Sequence, residues 1–384
     1  MISKKTANIS PSVTLEISAK AKALAAKGVD VVNFAAGEPD FDTPDYIKEA
    51  AVEAIRRGFT KYTPASGMGE LKEAIRGKFK RDNGLEYDTG QIMVTCGAKH
   101  ALYNLTQAIC EESDEVIIPS PYWLSYPEII KLAGAIPVVA ETDKKTFMIT
   151  ARELERRITK KTRAIILNSP SNPAGAVYTK KLLEEIAELA VGRGIFIISD
   201  EIYENLIYDG LRHISIASLD KKIYGLTFVV NGVSKSYAMT GWRIGYLAGR
   251  KDVIKAASAL QSHSTSNPAS MSQAASLAAI KSDGACVRKM AAQFEKRRDT
   301  LTQGLKGIRG IRCVKPQGAF YCFADVSGTG MDGLTFSRRL LEESHIAVIP
   351  GGPFGLEDHA RFSFATSEEA IKKGIERLIK WVKR

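Results

Sequence analysis

Short β-branched runs alternate with longer amphipathic stretches along most of this chain, and that alternation restricts the fold more than any other feature. "QIMVT", "EVIIP", "IPVVA", "RAIILN", "GIFIIS" and "TFVVN" are short and mostly apolar at successive positions. A strand with one wet face alternates apolar and polar residues, whereas a run apolar on both faces belongs to a sheet covered on both sides. "KHALYNLTQAI", "PEIIKLAG", "TKKLLEEIAELAVGR" and "VIKAASALQ" have the length and amphipathicity of helices. The pattern predicts an α/β fold with a buried, mostly parallel central sheet.

After about Ala285 the pattern changes. A long basic helix, "VRKMAAQFEKRRDTLTQGLKG", precedes "GAFYCFADV", "IAVIPGG", "RFSFA" and a last helix, "SEEAIKKGIERLIKWVK". At 384 residues the chain exceeds what one core usually fills. The expected organisation is a large domain over residues 45–285 and a smaller α+β domain made of 1–44 and 286–384.

Several classes are disfavoured. No apolar run reaches the length of a bilayer span, and "MISKKTANISPSVTLEIS" lacks the apolar core of a signal peptide, so the expectation is a cytoplasmic protein that does not engage a membrane. Five cysteines without a CxxC pair and five scattered histidines predict neither a disulfide nor a bound metal. The formal charge of +11 is spread along the chain, with no basic block bearing aromatics. That fits a site for anionic small molecules better than a nucleic-acid surface. The paired arginines Arg297, Arg298, Arg338 and Arg339 read as exposed and are given no function.

In an open α/β sheet ligands sit at the carboxyl ends of the strands. After "QIMVT" comes "CGAKH", where Gly97 permits a tight turn and the N–H groups at Ala98 and Lys99 open a helix suited to phosphate. After "RAIILN" comes "SPSNPAG", which offers the amide of Asn172. After "GIFIIS" comes "DEIYENLIY", with the acid Asp200 and, a helical turn on, Tyr203. After "TFVVN" comes "GVSKSYAMTGWRIG", in which Lys235 lies among small residues and Arg243 follows eight positions later. A lysine in so apolar a segment needs a partner or a covalent bond.

Pyridoxal phosphate chemistry uses these residue types. Lys235 is suited to hold the aldehyde as a Schiff base and to move a proton. A buried Asp200 would keep a pyridine nitrogen protonated, Tyr203 and Asn172 would donate to the ring oxygen, and Arg243 with the turn at Ala98 and Lys99 would hold the phosphate. Taken singly, each has a plainer reading: Asp200 as a turn cap, Tyr62 and Trp123 as ordinary packing aromatics, Lys99 as a solvated side chain in a first helical turn.

"GVSKSYAMTGWRIG", together with "AAGEPDFDTP", "KYTPASGMGELKEAI", "SPYWLSYPE", "NSPSNPAG", "SDEIYENLIY" and "RFSFATSEE" in that order, resembles the class I pyridoxal-phosphate aminotransferases of the type I fold. The resemblance spans essentially the whole chain. It implies Lys235 as the Schiff-base lysine, Asp200 as the pyridinium partner, Tyr203 and Asn172 on the ring oxygen, and Trp123 stacked on the ring. It implies a phosphate cup of the Ala98 and Lys99 backbone, Ser234 and Arg243, completed by Tyr62 from the other subunit of a homodimer with shared active sites. Arg361 takes the substrate α-carboxylate and Gly37 lies in a loop that closes near it. Within the family the chain resembles the aspartate aminotransferases that read the distal carboxylate with a lysine, here Lys99, assisted by the hydroxyls of Thr14 and Ser12.

The resulting expectation is a transfer of the amino group of an acidic amino acid, aspartate foremost, to 2-oxoglutarate by a ping-pong mechanism. Prephenate, aromatic and kynurenine-type substrates stay open, as does a C–S lyase or an aminocyclopropane-forming enzyme, because fold and cofactor do not fix the reaction. A pyridoxal-phosphate-sensing regulator would need a helix-turn-helix domain, for which the segment before Gly37 is too short. A dinucleotide oxidoreductase would need a GxGxxG turn between strand and helix.

Overall fold

A computed structural model describes residues 13–383, together with Ile2 and Ile9. The six apolar runs become strands β1 (Ile92–Thr95), β2 (Glu115–Ser120), β3 (Ile136–Glu141), β4 (Thr162–Asn168), β5 (Phe196–Asp200) and β6 (Thr227–Gly232). A seventh, β7 (Gly245–Ala248), completes a sheet of order β1-β7-β6-β5-β4-β2-β3. Pairings among β3, β2, β4, β5 and β6 are parallel, and the two made by β7 are antiparallel. The sequence reading missed β7 because "GYLA" is short and follows the lysine loop without a helix between.

Successive residues feed opposite faces of the sheet. Ile118, Ile166, Ile198 and Val230 pack in one apolar cluster, and Ile117, Ile165, Leu167 and Ile197 in another. Each such side chain contributes about 1.5–3 kcal/mol on burial, which is why apolar residues occupy both parities. The exception is β3. It has only β2 as neighbour, and Ile136 and Val139 are exposed, so burial on both faces does not hold for this edge strand.

A second, four-stranded sheet is built from β8 (Arg312–Cys313), β9 (Tyr321–Asp325), β10 (Ile349–Pro350) and β11 (His359–Ser363), in the order β10-β11-β9-β8. Val32–Asn33 pairs in parallel with Ile346–Ala347, which ties the segment before Gly37 to the C-terminal part. Helices Ala285–Lys306 and Glu368–Val382 pack on one another. No described helix is long and apolar enough to cross a membrane.

Two expectations are corrected here. Cys313 and Cys322 are joined by a disulfide, with Cα atoms 6.9 Å apart. Cys313 lies opposite Ala324, so Cys322, two residues along β9, shares its face as a diagonal neighbour. Spacing rules search for CxxC and do not register a pair made by strand register. Arg298 is fully buried, not exposed. Its guanidinium is gripped by Asp209 at 2.8 and 2.9 Å and by the Pro316 carbonyl at 3.2 Å.

Candidate active site

The carboxyl ends of β1, β2, β4, β5 and β6, with β9 and β11 facing them, enclose a cavity of about 960 Å³. Gly37, Ala98, Lys99, Trp123, Asn172, Asp200, Tyr203, Ser234, Lys235, Arg243 and Arg361 all line it. Eleven of the fourteen residues singled out in the sequence therefore meet in one place. Tyr62 does not: it is 90% exposed and outside the lining of its own chain's cavity. Ser12 and the side chain of Thr14 lie outside the described residues.

The phosphate-type turn forms because two glycines allow it. Gly97 has φ +86 and precedes helix Ala98–Ile109; a Cβ there would collide with the Arg243 guanidinium. A Cβ on Gly245 of β7 would collide with the Gly97–Ala98 backbone. Arg243, held at φ 55 in the left-handed region, donates to Thr240 O at 2.9 Å and Cys96 O at 3.3 Å. A non-glycine residue in that region costs free energy and persists where its surroundings hold it, as these two hydrogen bonds do.

Asp200 ends β5 in register with Asn168 of β4. The Tyr126 hydroxyl donates to its Oδ2 at 2.7 Å and the Ile202 N–H to its Oδ1 at 3.3 Å. Burial pushes its pKa up to about 6, against the pull of those two bonds. Tyr203 shares a 3.0 Å hydrogen bond with Tyr321, and burial raises its hydroxyl well above the usual range.

Lys235 donates to the Gly37 carbonyl at 2.7 Å. Burial draws its pKa down to about 8; Arg361 and Arg243 add to that shift, while Glu38 and Asp200 oppose it. Glu38 in turn accepts the Thr240 hydroxyl at 2.7 Å, so the Gly37 segment is tied to both the lysine and the loop of Arg243. The Lys99 ammonium lies 4.9 Å from the centre of the Trp123 ring, and burial, with Arg243 nearby, lowers its pKa.

Arg361 projects from β11 and is only 2% exposed. It donates to Asn172 Oδ1 at 3.1 Å and to Ala35 O at 3.2 Å, with Tyr321 and Phe354 beside its plane. Its Nε has no partner. Tyr126 and Tyr321 are the contacts that sequence reasoning missed. Tyr126 was within reach, three positions after Trp123 in "SPYWLSYPE", where the turn closed by the Tyr126 N–H donating to the Trp123 carbonyl leaves both on the cavity side; Tyr321 carried no such signal.

A buried acid capable of pairing with a cationic ring nitrogen, a partly neutral amine, and a helix N-terminus beside an arginine define a site for an anionic, carbonyl-bearing group. The chain belongs to the family of class I and II aminotransferases, which its residues 29–378 match. It is a transaminase with the type I fold. It is 50% identical over 389 residues to an aspartate aminotransferase of Bacillus sp. (strain YM-2), covering 100% of this chain and 99% of that one. A probable aspartate/prephenate aminotransferase of Aquifex aeolicus is 46% identical, with 99% and 98% covered. The solved structure of the aspartate aminotransferase from Thermus thermophilus with maleate superposes with a TM-score of 0.95 at 44% identity, over 99% of each chain.

Proposed function

We propose that this protein moves the amino group of an acidic amino acid, aspartate foremost, to 2-oxoglutarate on pyridoxal phosphate, in two half-reactions of which the first product leaves before the second substrate enters. The observation that carries an amino-acid substrate is the buried, unpartnered Nε of Arg361 in the same cavity as the Lys235 amine; the acidic preference is carried by Lys99 in that cavity. A buried donor without an acceptor is costly, and a guanidinium edge is matched by a carboxylate. The binding of maleate, a dicarboxylate, by the Thermus thermophilus relative supports an acidic substrate.

The residues fit pyridoxal phosphate. Lys235 would hold its aldehyde carbon, Asp200 its pyridine nitrogen, Tyr203 and Asn172 its ring oxygen, and Trp123 one ring face. Ser234, Arg243 and the N–H groups of Ala98 and Lys99 would hold the phosphate, with Tyr62 supplied by a second copy of the chain. The bound cofactor supplies an electron sink and carries the amino group between substrates. Lys235, with its pKa near 8, is able to take a proton at Nζ and return it. Asp200 remains mostly ionised near neutral pH because its value is about 6. Arg361 orients the substrate through its α-carboxylate, and Lys99 faces the distal one. The large unit is taken as 45–285 and the smaller as 1–44 with 286–384; the seven-stranded sheet lying within the first range and the four-stranded sheet within the second support that division.

An amino-donor panel tests the reading: purified protein loaded with pyridoxal phosphate is mixed with one amino acid at a time and the aminated cofactor is measured. Aspartate and glutamate should react fastest. Faster reaction of neutral or aromatic donors overturns the acidic preference, and ammonia release without cofactor amination indicates a lyase. Prephenate belongs among the acceptors tested, because the Aquifex aeolicus relative is named for both substrates.

A further inference from the structure

The turn over residues 200–204 has two kinds of side chain. Asp200 and Tyr203 line the cavity; Glu201 and Glu204 do not, yet they are 0% and 7% exposed. Glu201 Oε1 accepts the hydroxyls of Ser199 at 2.8 Å and Ser215 at 2.6 Å; its Oε2 lies 2.9 Å from His213 Nε2, an ion-pair distance without hydrogen-bond alignment, and His213 Nδ1 has no partner among the described residues. Glu204 Oε1 accepts from Asn231 Nδ2 at 2.8 Å and pairs with the Lys78 ammonium, while its Oε2 accepts from Asn83 Nδ2 at 2.8 Å. Lys78, itself 5% exposed, also donates to Asn83 Oδ1 at 2.7 Å.

Two buried carboxylates face one permanent cation, which leaves one negative charge uncompensated beside the cavity of about 640 Å³ that Lys78 and Glu204 line. An imidazolium at His213 makes the sum zero. Burial pulls the His213 pKa down and Lys78 adds to that, but Glu201 and Glu204 outweigh them and the net direction is upward. Glu201, Glu204 and His213 each bring a ligand-type atom within 4.8 Å of the others, a spacing that also suits a metal ion. The Lys78 ammonium already seated on Glu204 favours an ion-pair network instead.

The network joins the parts that carry the site. Ser199 adjoins Asp200 at the end of β5, and Asn231 lies on β6 four residues before Lys235. We propose that the buried quartet Lys78, Glu201, Glu204 and His213 is a positioning device that locks the turn bearing Asp200 and Tyr203, with the His213 imidazolium as its second cation. None of the four touches the reacting atoms. Removing one charge strands another, and the turn must then shift or admit water. The proposal rests on the aminotransferase reading for its consequence but not for its charge pattern.

The test uses the full chain. Wild-type protein is first shown to capture pyridoxal phosphate and to be aminated by aspartate; failure there overturns the functional reading, while the charge of His213 is decided separately on cofactor-free protein. Nitrogen NMR of histidine-labelled protein at about pH 7.5 should show a protonated His213, identified by the signal lost in His213→Gln. A neutral His213, or one equivalent of a divalent metal in the purified protein, overturns the quartet even if transamination is normal. His213→Gln should raise the Kd for pyridoxal phosphate and lower the rate of the aspartate half-reaction, each by about tenfold, with KM changed by less than about twofold. Adding Glu201→Gln should restore both to within about threefold of wild type, since no charge is then stranded. A lower Tm with unchanged Kd and half-reaction rate assigns the quartet to stability alone and overturns the proposal. Should His213→Gln fail to fold, folding of the pair supports it and failure of the pair overturns it.

Discussion

Tyr126 and Asp200, 74 residues apart in the chain, meet through a 2.7 Å hydrogen bond buried at the floor of the cavity. The bond is one of two that oppose the burial of Asp200, whose pKa has risen to about 6. The carboxylate is ionised at neutral pH only by that small margin.

Tyr126→Phe should therefore move the acidic limb of the half-reaction upward. A hydrogen bond to a charged group is worth about 1.5–3 kcal/mol, so its loss raises the Asp200 pKa, about 6 in the cofactor-free site, by roughly one to two units; a ring cation beside the carboxylate lowers it in both proteins and leaves the direction of the difference unchanged. Protonation persists to higher pH when a carboxyl pKa rises, so the loss appears as pH falls through the new value. Single-turnover rates with aspartate across pH decide this; an unmoved limb would show that Tyr126 only fills space. Asp200→Ala should be slow at every pH and show no such limb.

Lys235→Ala should abolish turnover while pyridoxal phosphate still binds noncovalently through Asp200, Arg243 and the Gly97 turn. In the wild type, covalent capture needs the neutral amine. Its rate should rise with pH and level off above about 8, because burial has lowered the lysine from its usual range. Stopped-flow absorbance measures the capture, and a flat profile below about 9 contradicts the assignment.

Tyr62 is expected to act across a subunit interface, since in its own chain it is exposed and away from the cavity. In homodimers Tyr62→Phe should weaken cofactor binding about five- to tenfold, the loss of roughly one hydrogen bond. A mixed dimer of one Tyr62→Phe subunit and one Lys235→Ala subunit has a single covalent site, in the first subunit. Normal affinity there means that the intact tyrosine of the other subunit serves it. Weakened affinity places Tyr62 in its own chain's site and sinks the idea.

Lys99→Ala should reduce kcat/KM for aspartate and glutamate by about tenfold. That is about 1.4 kcal/mol, at the modest end for a charge pair because the Lys99 ammonium, though partly desolvated by the cavity walls, still reaches solvent. Alanine as donor should change little, and cofactor Kd serves as control because the backbone N–H remains. Equal losses for aspartate and alanine remove Lys99 from substrate selection.

The strands and the strand-end residues were legible because their signals are local. Asp200, Asn172 and Lys235 each follow an apolar run directly, and the strand-end rule then places them in one crevice. The 3.6-residue period of the helices and the unbroken apolar runs of the strands are likewise carried by near neighbours. Helix Ser270–Lys281 escaped notice because "SMSQAASLAAIK" is rich in serine and alanine and lacks a strong polar face.

What the sequence determined by itself was the layered α/β architecture and the types of group assembled at the strand ends, since both depend on residues within a few positions of one another. Tertiary structure alone decided that Tyr126 supports Asp200, that Tyr321 meets Tyr203, that Cys313 bonds Cys322 and that His213 joins Glu201. It also decided that Asp200 sits at about 6 and Lys235 near 8. Those outcomes depend on desolvation and on partners brought together by strand register and packing, neither of which is encoded in any short stretch of chain.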